Sequence, residues 1–278
     1  MKTILIPTED HATMSAVLET ARLVAQRFGS YMEGFAVHPA ASGFVAVDPV
    51  SSLTIASTQA GDEEIERHAQ VLFESFMRDH AVPHAQPGAA VYSHGWIRAG
   101  AYDDAFIGSY GRLFDLIVLG RPGPAPQDQR MPPLEAALFE SGRPVLIAPA
   151  VAPQVIGANV LVAWNGSTEQ TRTIASAMPL LREAGKVTVL SVEGGMTPGP
   201  TGEEVAQYLR MNSIPAAAVT VAPGKRTTGE AILDHARTHG CDLLVKGAYT
   251  QSRLRQMVFG GATRHILASA TLPVLMAH

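Results

Sequence analysis

Short apolar runs that alternate with longer stretches of helical spacing set the plan of this 278-residue chain. In the second half, apolar runs near 159–164, 187–192, 217–222, 242–246 and 273–276 show no inside–outside alternation, the pattern of strands buried on both faces of a parallel sheet. Amphipathic spacing between them predicts helices near 167–184, 202–212, 228–239 and 262–269. Ser167 stands three residues before Gln170, as in a capping box, and Gly185 follows as a helix stop. The first half follows the same plan, with a helix over 11–29. There, however, "HPAASGFVAVDPVSSLTIAS" (38–57) shows no helical period until 61–80. A loop of that length reads as a lid, a contact surface or a disordered segment.

The two halves repeat one another. "TILIPTED" (3–10) matches "NVLVAWNGS" (159–167), "FDLIVLGRPG" (114–123) matches "CDLLVKGAYT" (241–250), and "SGRPVLIAPA" (141–150) matches "ATLPVLMAH" (270–278). Three matches in the same order imply a duplication. The predicted domains are 1–150 and 157–278, joined across the Ala-, Pro- and Val-rich "APAVAPQVIG" (148–157). Alternating strands and helices in each give a doubly wound α/β unit, with a ligand crevice beyond the carboxyl ends of the strands.

Composition narrows the function classes. The apolar runs are strand-length, short of the roughly 20 residues of a membrane span. The start, "MKTILIPTED", lacks a secretory pattern. A single cysteine, Cys241, excludes an internal disulfide and fits a reducing compartment, so the expected location is cytoplasmic. A net charge of −4 offers no general attraction for nucleic acid.

The stretch "GAYTQSRLRQMVFGGATRH" (247–265) carries a strand-terminal Gly, a basic spacer, a Gly-Gly turn, a helix and then a final "PVL" strand. This repeated unit resembles the universal stress protein family, and the chain resembles a tandem, two-domain member. The resemblance implies two flavodoxin-like parallel-sheet units, strand order 3-2-1-4-5 in each, packed as a pseudo-dimer through their last strands near 144–148 and 273–276. It also implies a stress-response role, in some members with ATP or another adenine nucleotide, and magnesium with it. Nucleotide-binding members use Gly, two residues, Gly, nine residues, then Gly and Ser or Thr, with an Asp ending the first strand. Carried over, Gly247 matches the first glycine, Thr250 takes the second, Gly260 the third, and Gly261 the Ser/Thr position, while Asn165 replaces the Asp. Asn165 then orients a ribose, and Gly247, Thr250, Gly260 and Gly261 present backbone N–H groups to phosphate. Val192 offers backbone to an adenine edge, and Lys246 either reaches solvent or places a charge near the phosphate.

The first half offers no such cradle. "PAPQDQRMPPLE" (124–135) stands where the phosphate turn belongs, and proline supplies no N–H. Glu9 takes the Asp position there. His235 and His239 are four apart on a predicted helix, yet two ligands do not complete a metal site. "IGSYG" (107–111) lacks the first glycine of a nucleophile elbow. No catalytic residue and no metal ligand is assigned. The competing expectation is a scaffold that has lost the nucleotide, with loops 38–60 and 122–134 serving a protein partner or small ligand. Homodimerisation is compatible with either.

Overall fold

The computed structural model describes residues 1–38, 51–85, 91–97, 102–123, 129–248 and 261–278, with the backbone alone for 51–60. Ten strands form one sheet: β1 (Thr3–Thr8), β2 (Tyr31–Ala36), β3 (Ser93–Trp96), β4 (Leu116–Gly120), β5 (Val145–Ala148), β6 (Asn159–Trp164), β7 (Lys186–Val192), β8 (Ala216–Val221), β9 (Leu243–Val245) and β10 (Val274–Met276). Their order is β3-β2-β1-β4-β5-β10-β9-β6-β7-β8. Every neighbouring pair is parallel except β5 with β10, which run antiparallel with Leu146 opposite Leu275. The halves therefore do not pack as two separate sheets; they continue one another edge to edge.

Among the described residues, eight α-helices cover the two faces: α1 (Met14–Phe28), α2 (Ser51–Asp79), α3 (Asp104–Tyr110), α4 (Met131–Glu140), α5 (Thr168–Arg182), α6 (Gly202–Met211), α7 (Thr228–Thr238) and α8 (Gly261–Ser269). On one face Val17, Phe73, Ile174 and Leu209, from α1, α2, α5 and α6, join the side chains of Ile4, Leu146 and Val160. On the other, Ile107, Leu134, Ile232 and Ile266, from α3, α4, α7 and α8, join Leu5, Ile147 and Leu244. The unalternating strands of the sequence are buried on both sides, as a three-layer sandwich demands, except at the sheet edge, where Ala217 and Thr220 of β8 are exposed. None of the described helices is long and apolar enough to cross a membrane.

Helix α2 corrects one reading. It begins at Ser51, ten residues before the first clear helical period, so only 39–50 of the long excursion lies outside the described residues. Ser, Thr and Ile near its start are modest helix formers. The anchor is further along, where Ala69, Phe73 and Met77 are fully or nearly fully buried.

The antiparallel seam also explains how ten residues, 149–158, connect the halves. Strand direction reverses at the seam, so the end of β5 and the start of β6 share one margin of the sheet. Only β10 and β9 lie between, about 14 Å at the usual strand spacing. Side chains reinforce the junction. Arg27 donates from Nη1 to Ile156 O at 2.8 Å and from Nη2 to Glu183 O. Arg121 Nη1 donates to Ala268 O at 2.6 Å, a cation set against the carbonyl end of α8.

Each half opens with the same clamp. Asp115 Oδ2 accepts from the backbone N of Lys2 and Thr3, and Asp242 Oδ2 accepts from that of Ala158 and Asn159. Leu275 is fully buried in the seam. Leu275→Ala should lower the unfolding free energy by about 3 kcal/mol, measured by urea titration.

Candidate functional site

The C-terminal rim of the second half is built from four turns that lock together. After β6, Asn165 Oδ1 accepts from Ser167 N at 3.2 Å, and Ser167 Oγ caps Gln170 N at 3.2 Å. Gly166 has φ +85°, and a Cβ there would lie 2.5 Å from Thr197 O, so the residue has to be glycine. Thr197 N and Oγ1 both donate to Asn165 O, at 2.7 and 3.0 Å, clipping the segment after β7 onto this turn.

Gln170 is the residue that pattern reading missed. It is buried, and its side chain does not return to Ser167 to complete a capping box. Its Nε2 instead donates to Val245 O at 3.3 Å, and its Oε1 accepts from Gly247 N. This overturns the expectation that Gly247 offers its N–H to phosphate, because that donor is already used. Glycine is required here for a different reason: a Cβ would stand 2.8 Å from Gln170 N. The end of β9 thus lies directly on the first turn of α5.

Lys246 points into the space these turns enclose. Its Nζ donates to Gly247 O and to Thr263 Oγ1, both at 2.9 Å, and Thr263 Oγ1 donates to Ala248 O at 3.2 Å. It has no carboxylate partner among the described residues. Burial alone pushes its ammonium down to about 8. The cavity holds about 220 Å³. Asn165, Gln170, Thr228 and Thr263 give it polar edges, and Leu190, Val192 and Ile232 an apolar wall.

Of the predicted positions, Asn165, Val192, Lys246 and Gly261 line this one cavity. Gly261 begins α8, exposed, with no described atom within 4 Å of a Cβ placed on it. The Val192 carbonyl already accepts from Gly195 N at 3.1 Å. Thr250 and Gly260 lie outside the described residues. Thr228 and Thr263 were not foreseen. The signal for Thr228 was the capping motif from Thr227 to Glu230, which holds the start of α7 beside the cavity.

At the matching rim of the first half, an arginine is held between two carboxylates. Glu9 corresponds to Asn165, Leu119 to Lys246, and Arg130 directly precedes α4. Arg130 Nε donates to Glu9 Oε1 at 2.9 Å, Nη2 donates to Asp104 Oδ1 at 2.7 Å, and Gln129 Nε2 donates to Glu9 Oε2 at 2.7 Å. Burial raises the Glu9 carboxyl above its ordinary value, with Arg130 pulling the other way. Residues 124–128 of the loop read at 122–134 lie outside the described residues.

Other candidates resolve simply. His235 and His239 stack at 3.9 Å, and His239 Nδ1 faces His235 O at 2.9 Å. No group of three or more His, Cys, Asp or Glu suited to a metal occurs among the described residues. Ser109 lies inside α3 with its hydroxyl on Phe106 O, not at a strand-to-helix elbow.

Residues 158–278 match the model of the Universal stress protein family. No curated protein matches the chain significantly. Among solved structures, a universal stress protein from Archaeoglobus fulgidus DSM 4304 superposes with a TM-score of 0.70 at 15% identity, over 99% of this chain and 97% of that one. A protein from Pseudomonas aeruginosa PAO1 described as functionally unknown superposes with a TM-score of 0.56 at 15% identity, over 100% and 92%. At these identities the likeness is one of fold, and it extends over both halves.

Two outcomes follow. Arg130→Met should cost about 3 kcal/mol by leaving Glu9 and Asp104 facing each other unpaired. Adding Glu9→Gln should restore part of it, as read by denaturant unfolding of the single and double variants. Lys246 titrates lower folded than unfolded, so between about 8 and the ordinary 10.5 the unfolded chain holds more protons. The natural chain should gain stability relative to Lys246→Met as pH rises through that window, checked by paired thermal melts.

Proposed function

The second half of the chain, residues 158–278, is a domain of the universal stress protein family, and from this premise we propose that its rim pocket binds an adenine nucleotide in a stress response. Lys246 carries the reading: a part-buried cation beside the start of α8 with no carboxylate partner among the described residues. An anion there gains from the ammonium and from the positive end of the helix. Leu190, Val192 and Ile232 would supply a face for the base, and Asn165, which lines the same pocket, would offer its amide to a ribose hydroxyl. No carboxylate among the described residues lines the pocket, so magnesium would ride on the phosphates and its own water.

A second reading, a scaffold without nucleotide, draws on a specific observation: the Gly247 N–H is taken by Gln170. Calorimetric titration of ATP with magnesium separates the two. The Gly261→Val variant is the control, because its added side chain meets open space in the described fold while obstructing the helix start. Saturable binding by the natural chain, weakened at least roughly tenfold in the variant, or about 1.4 kcal/mol, supports the nucleotide site. Absence of binding by the folded natural chain favours the scaffold.

A further inference from the structure

The internal repeat isolates Lys246 as a departure of this half. Its counterpart in the first half is Leu119, fully buried beside its strand neighbours. A cationic side chain has replaced an aliphatic one at the end of β9, under the start of α8.

Two acceptors stand within hydrogen-bond reach of Nζ. A neutral amine has two N–H groups, and two acceptors are present, Gly247 O and Thr263 Oγ1. The lone pair is then left for the cavity. An ammonium has three N–H groups, and the third finds no acceptor among the described residues. The surroundings do not compensate its charge. Glu169, Arg172 and Arg182 on α5, Lys186 and Glu193 at the two ends of β7, Glu230, Asp234, His235 and Arg237 on α7, Cys241 and Asp242 before β9, Arg264 and His265 on α8, and His278 after β10 are the titratable or charged groups of the neighbouring elements among the described residues, and none lines the pocket. Glu230 is held by the N and Oγ1 of Thr227, and Asp234 by Arg226 and Arg237. A phosphate in the cavity would supply both missing features, a third acceptor and an opposite charge.

We propose that a phosphate-bearing ligand and a proton enter this pocket together, the proton passing from solvent to the Lys246 Nζ lone pair. The proposal rests on the reading of the pocket as a phosphate site and adds the charge state in which it works. Affinity is then level at neutral pH, where the amine is already protonated, and falls as pH rises past about 8, the value to which burial brings this side chain. Without ligand above that pH, Lys246 is a nucleophile. It is one of only four lysines, with Lys2, Lys186 and Lys225.

The test is calorimetry of ATP with magnesium at pH 8.5 in Tris and in EPPS, buffers of different ionisation enthalpy. The natural chain should show a buffer-dependent enthalpy equal to roughly three-quarters of a proton taken up per ligand. Lys246→Arg, charged throughout, should bind with no buffer dependence; if it does not fold, Lys246→Met should lose both the dependence and at least tenfold in affinity. Binding by the natural chain with equal enthalpies in the two buffers overturns the proposal and leaves the nucleotide reading standing. If ATP does not bind, the nucleotide reading fails, and inorganic phosphate decides the proposal. Acetylation by N-hydroxysuccinimidyl acetate at pH 8.5, mapped by mass spectrometry, should then slow at Lys246 alone when phosphate is added. An equal rate with and without phosphate overturns it.

Discussion

Antiparallel pairing of β5 with β10 is the constraint from which the rest of the architecture follows. Each half, taken alone, would end its sheet on a short apolar strand with unpaired backbone, a ready template for association. Val145–Ala148 and Val274–Met276 cover one another instead. Because direction reverses at that line and nowhere else, the carboxyl ends of the first five strands lie along one margin and those of the last five along the other. The two rims therefore cannot share a ligand, and each has its own chemistry.

That chemistry differs in how positive charge is held. Arg130 is satisfied from within by Glu9 and Asp104, a closed arrangement whose disruption would strand two partly buried carboxylates. Among the described residues, Lys246 has only neutral oxygen partners, one a carbonyl and one a hydroxyl. Neutral acceptors orient an amine without cancelling its charge. Two halves of the same strand order thus hold a carboxylate-paired cation at one rim and a cation with neutral partners at the other, and the difference comes from a handful of side chains at strand ends.

Much of the fold was legible because its signals are local. Unbroken apolar runs, the Ser167 cap and the Thr227–Glu230 motif each act within one turn or one strand. The start of α2 was not, since Ser51 and its neighbours carry little intrinsic helix preference and the helix is held by apolar side chains near its far end. The rim pocket was legible in part: Asn165, Val192, Lys246 and Gly261 converge because strand ends of a doubly wound sheet must. What spacing could not reveal was which donors remain free. Gln170 and Gly247 are 77 positions apart, and only the packing of α5 on β9 shows that one consumes the other's N–H. Arg130 likewise stands 121 positions from Glu9 and 26 from Asp104 in sequence, yet beside both in the fold.

The short connection over 149–158 has a consequence for how the molecule behaves on dilution. Two separate chains joined through such a seam would part as concentration falls, and their stability would depend on how much protein is present. Tethered by ten residues, the halves meet at an effective concentration in the millimolar range. The seam is thereby a property of the single molecule, and the Lys246 rim comes with one Arg130 rim in fixed one-to-one ratio, however little of the protein is made.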